Sequence, residues 1–226
     1  MEYIRRNWNT GKSIYACIKR FLDISLAVLG IIALSPAMLI ISILIKLDSD
    51  GPILFKQKRT GKDGKEFTIL KFRTMVKDND VYDKTKKDKL TKIGKVLRKT
   101  GLDEIPQIFN ILSGKMSFIG PRPWIKEYYE NMNEVQKHRV DVLPGVTGLA
   151  QIKGRNRIPI EEKINYDLKY IDDYSFLQDL RTALLTLKKD ALFSEGEGNK
   201  DKINEELEAL SKSKILSKKH HQNAYH

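Results

Sequence analysis

The feature that most constrains this chain is a run of 22 residues without a charge, Ile24 to Ile45 (ISLAVLGIIALSPAMLIISILI). A helix rising about 1.5 Å per residue over such a run matches the ~30 Å hydrocarbon layer of a bilayer. A membrane element is therefore expected near the N-terminus. A cleavable signal peptide fits poorly, because the run is too long and no small-residue cleavage site follows it. Flanking charge does not orient a span: Arg5, Arg6, Lys12, Lys19 and Arg20 precede the run, and Lys46, Lys56, Lys58, Arg59, Lys62 and Lys65 follow it. Neither side wins a positive-inside count, so both flanks read as cytoplasmic. The middle of the run holds Ser35-Pro36. The proline removes the amide that would bond the Ile32 carbonyl and bends the chain, while the Ser35 hydroxyl can take over a freed carbonyl. A helix that enters one leaflet, breaks at Ser35-Pro36 and returns satisfies both observations; a proline-kinked transmembrane helix is the plainer reading.

Composition narrows what surrounds this element. Of 226 residues, 41% are hydrophobic and 31% charged, which excludes wholesale disorder. The single cysteine, Cys17, cannot form an intramolecular disulfide and fits a reducing compartment. The formal charge of +12 attracts polyanions: nucleic acid, anionic lipid or phosphorylated substrates. The excess is local. Residues 46–100 hold 17 Lys/Arg against 8 Asp/Glu, whereas residues 195–226 hold 6 against 6.

Beyond the apolar run, Ile53–Lys58 and Glu66–Lys71 read as strands of a hairpin around the turn Thr60–Gly64. Residues 77–89 are charged, lack a hydrophobic period and read as a loop. Leu90, Ile93, Val96 and Leu97 recur at helical spacing, as do Ile105, Ile108, Phe109 and Leu112, and Gly114 marks a stop. Residues 124–139 suit one surface or interfacial helix, 143–156 a glycine-rich loop, and 201–212 a helix within a balanced-charge tail. In 179–193, Leu180, Ala183, Leu184 and Leu187 share one side, the pattern of a core helix or of one lying in a bilayer surface.

Between the two helical patterns stand Asp103 and Glu104. At a helix start the free amides favour anions, so N-capping is the plain role for Asp103 by position alone, with Pro106 tolerated in the first turn. What points further is an inventory of phosphate-binding groups: Arg98 just upstream, Arg122 in Gly120-Pro121-Arg122-Pro123, Arg155 in a glycine-rich stretch, and Lys71 with Arg73 at a strand end. Adjacent helical carboxylates project about 100° apart, so they suit different tasks rather than a facing pair. One can attack phosphorus, and the other can hold a hard divalent ion. With one cysteine, and His138 far from His220, His221 and His226, a zinc site is disfavoured. No Walker-type loop is present.

These residues carry a family resemblance. Lys19-Arg20-Phe21-x-Asp23, Ser35-Pro36, Gly51-Pro52, Phe55-x-Gln57-x-Arg59-x-Gly61, Lys71-Phe72-Arg73-Thr74-Met75, Leu102-Asp103-Glu104-x-Pro106-Gln107, Ser117-Phe118-Ile119-Gly120-Pro121-Arg122-Pro123 and Pro144-Gly145-x-Thr147-Gly148-x-Ala150-Gln151-x-x-Gly154-Arg155-Asn156 occur in that order. Over about residues 15–195 the chain resembles the bacterial sugar transferases, the monotopic phosphoglycosyl transferases. In its short form it is similar to the enzymes that begin bacterial N-linked glycosylation with UDP-diacetylbacillosamine. The resemblance implies transfer of a phospho-sugar from a UDP-sugar to undecaprenyl phosphate with release of UMP. It implies Asp103 as a nucleophile forming a covalent intermediate, Glu104 as the Mg²⁺ ligand, and Arg122, Arg155, Arg98 and Lys71 as substrate contacts. It also implies a re-entrant helix broken at Ser35-Pro36, on the cytoplasmic face of the bacterial inner membrane. That setting permits a homodimer. A UDP-hexose transferase initiating exopolysaccharide or O-antigen synthesis is the alternative within the family.

The expected fold class is α+β, predominantly helical: a lead and re-entrant helix over 1–48, a catalytic domain over 49–195 with a small β-hairpin packed on helices and interfacial amphipathic helices, and a charged tail over 196–226. No nucleic-acid partner is expected, since the chain lacks an aromatic-basic RNA motif or a recognition helix. A membrane-anchored scaffold would leave Asp103, Glu104 and the arginine turns without a task.

Overall fold

A computed structural model describes residues 10–76, 90–154, 158–188 and 200–223. The apolar run lies within one 39-residue helix, α1 (Thr10–Asp48). Pro36 sits inside it, and the Ser35 hydroxyl donates to the Ile32 carbonyl at 2.9 Å, the acceptor that the proline leaves unserved. Helical structure is continuous across Ser35-Pro36. α1 is long and apolar enough to cross a membrane.

The helix is fastened at both ends to the rest of the molecule. Tyr15, Lys19, Asp23 and Ala27 form a buried row at four-residue spacing, and Ile41 and Ile45 are buried beyond the proline. Residues 32–37 between them are all exposed. On the first arm, Asp179 accepts from Tyr15 Oη, Lys19 Nζ and Tyr170 Oη, and Arg20 donates to the carbonyls of Ile111 (2.7 Å) and Leu112 (3.1 Å). Asp23 accepts from the Phe118 amide at 3.2 Å. The second arm packs Ile41 and Ile45 on Phe72 and Leu97, while Asp48 accepts from the Ile93 amide at 2.8 Å. The flanking cations Lys19 and Arg20 thus tie α1 to the body.

The expected hairpin is present as β1 (Leu54–Thr60) and β2 (Glu66–Phe72), antiparallel, with Thr60 opposite Glu66. After α2 (Lys92–Thr100) and a 3₁₀ turn over Leu102–Glu104 comes α3 (Gln107–Leu112), whose Ile108 and Ile111 pack with Ala27, Phe67 and Ile69. β3 (Ser117–Ile119) follows. The other elements are α4 (Lys126–Asn131), α5 (Glu134–Lys137), β4 (Gly145–Thr147), α6 (Leu149–Lys153), α7 (Ile160–Asp172), α8 (Phe176–Lys188) and α9 (Lys200–Asn223). The fold is predominantly helical α+β, as expected.

Several local expectations need correction. Residues 124–139 do not form one helix: Met132 is buried and Asn133 starts a new one with a capping box, splitting the stretch into α4 and α5. The 143–156 stretch is not a plain loop, because β4 pairs in parallel with β3. A Cβ at Gly145 would lie 2.1 Å from the Gly120 nitrogen, so the glycine permits the two backbones to meet. Val96, Phe109 and Leu112 belong to helices but are exposed. The 77–89 segment lies outside the described residues.

α8 resolves the ambiguity at 179–193 as far as residue 188. Asp179, Thr182 and Thr186 face inward, while Phe176, Leu177, Leu180, Leu184 and Leu187 are exposed. The polar side is therefore the core side, the reverse of a soluble surface helix. The tail is more than charged chain. α9 buries Leu210 completely among Tyr128, Met132, Ile160 and Ile164, and Glu206 accepts from Lys163 (2.7 Å) and Tyr128 (2.6 Å). Leu210→Ala should cost about 3 kcal/mol, read as a lower denaturation midpoint of the detergent-solubilised protein; an unchanged midpoint would mean that α9 is not docked.

Candidate active site

Three chain segments bring ionisable groups together. α2 ends at Gly101, whose left-handed conformation (φ 71°, ψ 5°) reverses the chain into the Leu102–Glu104 turn. β2 delivers Lys71, and the turn after β3 delivers Arg122. That turn is clamped by β4: Gly120 donates to the Thr147 carbonyl at 2.9 Å and Gly145 to the Pro121 carbonyl at 3.0 Å.

Asp103 is 3% exposed and caps neither the 3₁₀ turn nor α3, so the capping role that its position suggested is not the one it takes. Its Oδ1 is buried without a hydrogen-bond partner. Burial, with the neighbouring Glu104 charge, pushes its carboxyl up to about 6 against the opposing pull of Lys71 and Arg98. Glu104 is treated oppositely. Burial alone would raise it, but Arg122 and Lys71 overcome that and hold it well below the usual carboxylate range. Lys71 Nζ (3.1 Å) and Arg122 Nη2 (2.9 Å) both meet Oε1.

Of the other residues expected here, Arg98 is brought in. Its Nε donates to Thr74 Oγ1 at 2.9 Å while its charge acts on Asp103. Arg155 lies outside the described residues. Ser35 and Pro36 sit in the middle of the long apolar helix α1 and do not belong to this cluster.

Sequence reasoning missed the support behind Arg122. Arg139 donates from Nη2 to the Arg122 carbonyl at 2.7 Å. Its guanidinium lies 3.7 Å from the Trp124 ring centroid and bonds Asp167 Oδ2 through Nε (3.0 Å) and Nη2 (2.7 Å). Arg139 and Asp167 are 28 residues apart, and neither carries a local signal. Gln107 was quoted only as part of a motif. It is 1% exposed, with Nε2 lacking a partner.

Among the described residues there is no group of three His, Cys, Asp or Glu that could cage a metal. A magnesium ion does not require one, since it is commonly bound by one or two carboxylates together with substrate phosphates. The residues present fit such an ion: Asp103 has an orphaned hard oxygen, and Glu104 is held ionised with both cations on a single oxygen.

A family model described as bacterial sugar transferase matches residues 14–192. The chain belongs to the bacterial sugar transferase family. Over 181 residues it is 41% identical to a Bacillus subtilis (strain 168) protein named uncharacterized sugar transferase EpsL, covering 79% of this chain and 89% of that one. It is 44% identical over 183 residues to a Klebsiella pneumoniae UDP-glucose:undecaprenyl-phosphate glucose-1-phosphate transferase, covering 76% of this chain but 39% of that protein. An Aeromonas hydrophila UDP-N-acetylgalactosamine-undecaprenyl-phosphate N-acetylgalactosaminephosphotransferase is 38% identical over 185 residues, covering 77% of this chain and 44% of its own length. The chain thus spans about two fifths of these two longer relatives. The region matched to the sugar transferase family contains the whole carboxylate and cation cluster and stops short of α9.

A buried carboxyl raised to about 6 favours the fold below the unfolded value, near 3.8, and loses that contribution as pH rises through 6. Asp103→Asn should therefore be more stable than the parent at pH 8, by up to about 3 kcal/mol, with the gap closing near pH 4. A pH-independent gap in thermal unfolding would contradict this.

Proposed function

We propose that this chain transfers a sugar 1-phosphate from a UDP-sugar to undecaprenyl phosphate, with Asp103 as the covalent way-station. The observation that carries the reading is the buried, unpartnered Asp103 oxygen beside an ionised Glu104 and the cations Lys71, Arg98 and Arg122. In the first step an Asp103 oxygen bonds the β-phosphorus, the bond from that phosphorus to the bridging oxygen breaks, and its electron pair leaves with UMP. In the second step a prenyl phosphate oxygen attacks the same phosphorus and returns Asp103 as a carboxylate. Burial keeps water from intercepting the acyl phosphate and raises the basicity of the attacking oxygen. Asp103 is nearly covered in this state, so the reading requires the Lys71 and Arg122 side chains to swing aside and admit a pyrophosphate while the backbone that carries them stays in place. Mg²⁺, held by Glu104 with Asp103 adjacent, would offset charge on the pyrophosphate oxygens.

The relatives' printed names supply the substrate class. They carry glucose and N-acetylgalactosamine, which favours the hexose alternative for polysaccharide initiation over diacetylbacillosamine. The membrane setting is read from α1. Both of its arms contact the same body, and the exposed stretch between them, 32–37, is centred on Ser35-Pro36, which supports re-entry from a cytoplasmic face. The outward leucines of α8 suit the same bilayer surface.

Incubation with a panel of UDP-sugars and Mg²⁺, without lipid, should release one UMP per enzyme and leave a sugar-phosphate mass adduct on Asp103, with the rate rising through pH 6. Neither product, under conditions that support turnover with lipid, would reject the covalent route. Topology has its own test. The native exposed thiol of Cys17 and a Lys58→Cys thiol in a Cys17→Ser background should both react from the cytoplasmic side of membrane vesicles; labelling from opposite sides would show a span.

A further inference from the structure

The segment that carries the two carboxylates also carries a buried amide, that of Gln107, whose Nε2 has no hydrogen-bond partner. From the Leu102–Glu104 turn through Ile105 (φ −51°, ψ −40°) and Pro106 (φ −61°, ψ −14°) into α3, the backbone stays right-handed helical. Residues four apart in such a run share a face, so Gln107 lies on the face of Asp103, while Glu104 is turned about 100° away toward Lys71 and Arg122. Asn110, the next residue on that face, is fully employed: Oδ1 accepts from the Leu70 amide at 2.9 Å and Nδ2 donates to the Thr68 carbonyl at 2.8 Å. Those two bonds pin α3 to β2. Gln107 Nε2 makes no such bond. Its side chain is enclosed, and Nε2 donates to nothing.

Two buried and complementary orphans therefore stand one turn apart on one face: an acceptor, Asp103 Oδ1, and a donor, Gln107 Nε2. They are not bonded to each other. Leaving such a donor unsatisfied costs about 1–3 kcal/mol, and an apolar side chain of the same length would avoid it. A cost of that size kept next to a reactive group marks a group that finds its partner in another state of the protein.

We infer that Gln107 is a catalytic hydrogen-bond donor, giving its side-chain amide to a non-bridging oxygen of the phosphoryl group that transfers at Asp103. This rests on the reading of Asp103 as the phosphoryl acceptor. As the Asp103 oxygen approaches phosphorus and the bond to UMP breaks, charge accumulates on the non-bridging oxygens, and a donor already fixed in a dry site stabilises it without reorganising. A neutral donor suits this position better than a cation. Another positive charge beside Asp103 would stabilise the free carboxylate and blunt its attack, whereas an amide acts on the phosphoryl oxygen once it arrives.

The test uses Gln107→Met, which keeps length and removes the polar group, and Gln107→Glu, which keeps shape and removes the donor. For each full-length variant, thermal unfolding is measured beside UMP release from a UDP-sugar that the parent uses, with and without undecaprenyl phosphate. Gln107→Met should unfold at or above the parent's temperature, and its maximal UMP-release rate should fall on the order of 10²-fold with little change in KM for the UDP-sugar. Gln107→Glu should lose a similar factor above pH 6. UMP release from Gln107→Met within about twofold of the parent overturns the inference. So does loss of activity in step with loss of thermal stability in both variants, because that is the signature of a structural amide. The parent without lipid provides the separate control. If it releases no UMP, the covalent intermediate fails, and the lipid-supported rates of the variants still decide whether Gln107 assists the transfer.

Discussion

A single carboxylate oxygen, Glu104 Oε1, holds together three segments distant in sequence. Lys71 reaches it from the hairpin and Arg122 from the glycine-proline turn. Removing one of a buried charge's partners is far more costly than removing a surface pair, because the remaining desolvation is uncompensated. The arrangement therefore fixes where β2, the 102–104 turn and the 120–123 turn sit. It also sets the two neighbouring carboxylates apart. Neighbouring carboxylates on a helical backbone diverge, so one meets the cations and stays ionised while the other faces the interior and rises. Two identical functional groups are given different environments by direction alone.

The same economy governs the membrane helix. Apolar packing at Ala27, Ile41 and Ile45 has no directional grip, so buried polar groups just outside the apolar run supply the directional part of the attachment. Asp179 collects donors from Tyr15, Lys19 and Tyr170, and Arg20 takes the last carbonyls of α3. Asp179 comes from α8, whose inward face is polar and whose leucines lie on the outside. One residue thus ties the hold on α1 to the polar face of α8.

Much of this was legible in the residues, and the exceptions share a cause. The membrane helix, the hairpin and the carboxylate-bearing turn are encoded locally, by an uncharged run, a glycine turn and helical periodicity. The Ser35 bond to Ile32 followed from proline stereochemistry. What escaped was long-range. The β3–β4 pair is three residues on each side, and its glycines resemble loop composition until the backbones are seen to touch. Lys19 and Arg20 were weighed as topology signals, and their real partners lie 160 and about 91 residues away. Position alone favours capping for Asp103, yet its amide neighbours are served within the turn and its Oδ1 is buried without a partner. For Arg155 the described residues give no placement to compare.

The relay behind Arg122 extends the argument to the end of the chain. Arg139 holds the Arg122 carbonyl, is stacked on Trp124 and is neutralised by Asp167 of α7. Trp124 lies 5.3 Å from Tyr128, ring centroid to centroid, and Tyr128 is held by Glu206 of α9. A helix beyond the family-matched region therefore packs on the aromatic support of the arginine that pairs with Glu104. The guanidinium paired with Glu104 is only as well placed as the backbone turn that carries it, so what braces that turn also braces the pair. α9 contributes by making that turn harder to move, and through Glu206 it does so with a charge shared between Lys163 and Tyr128 rather than with apolar burial alone.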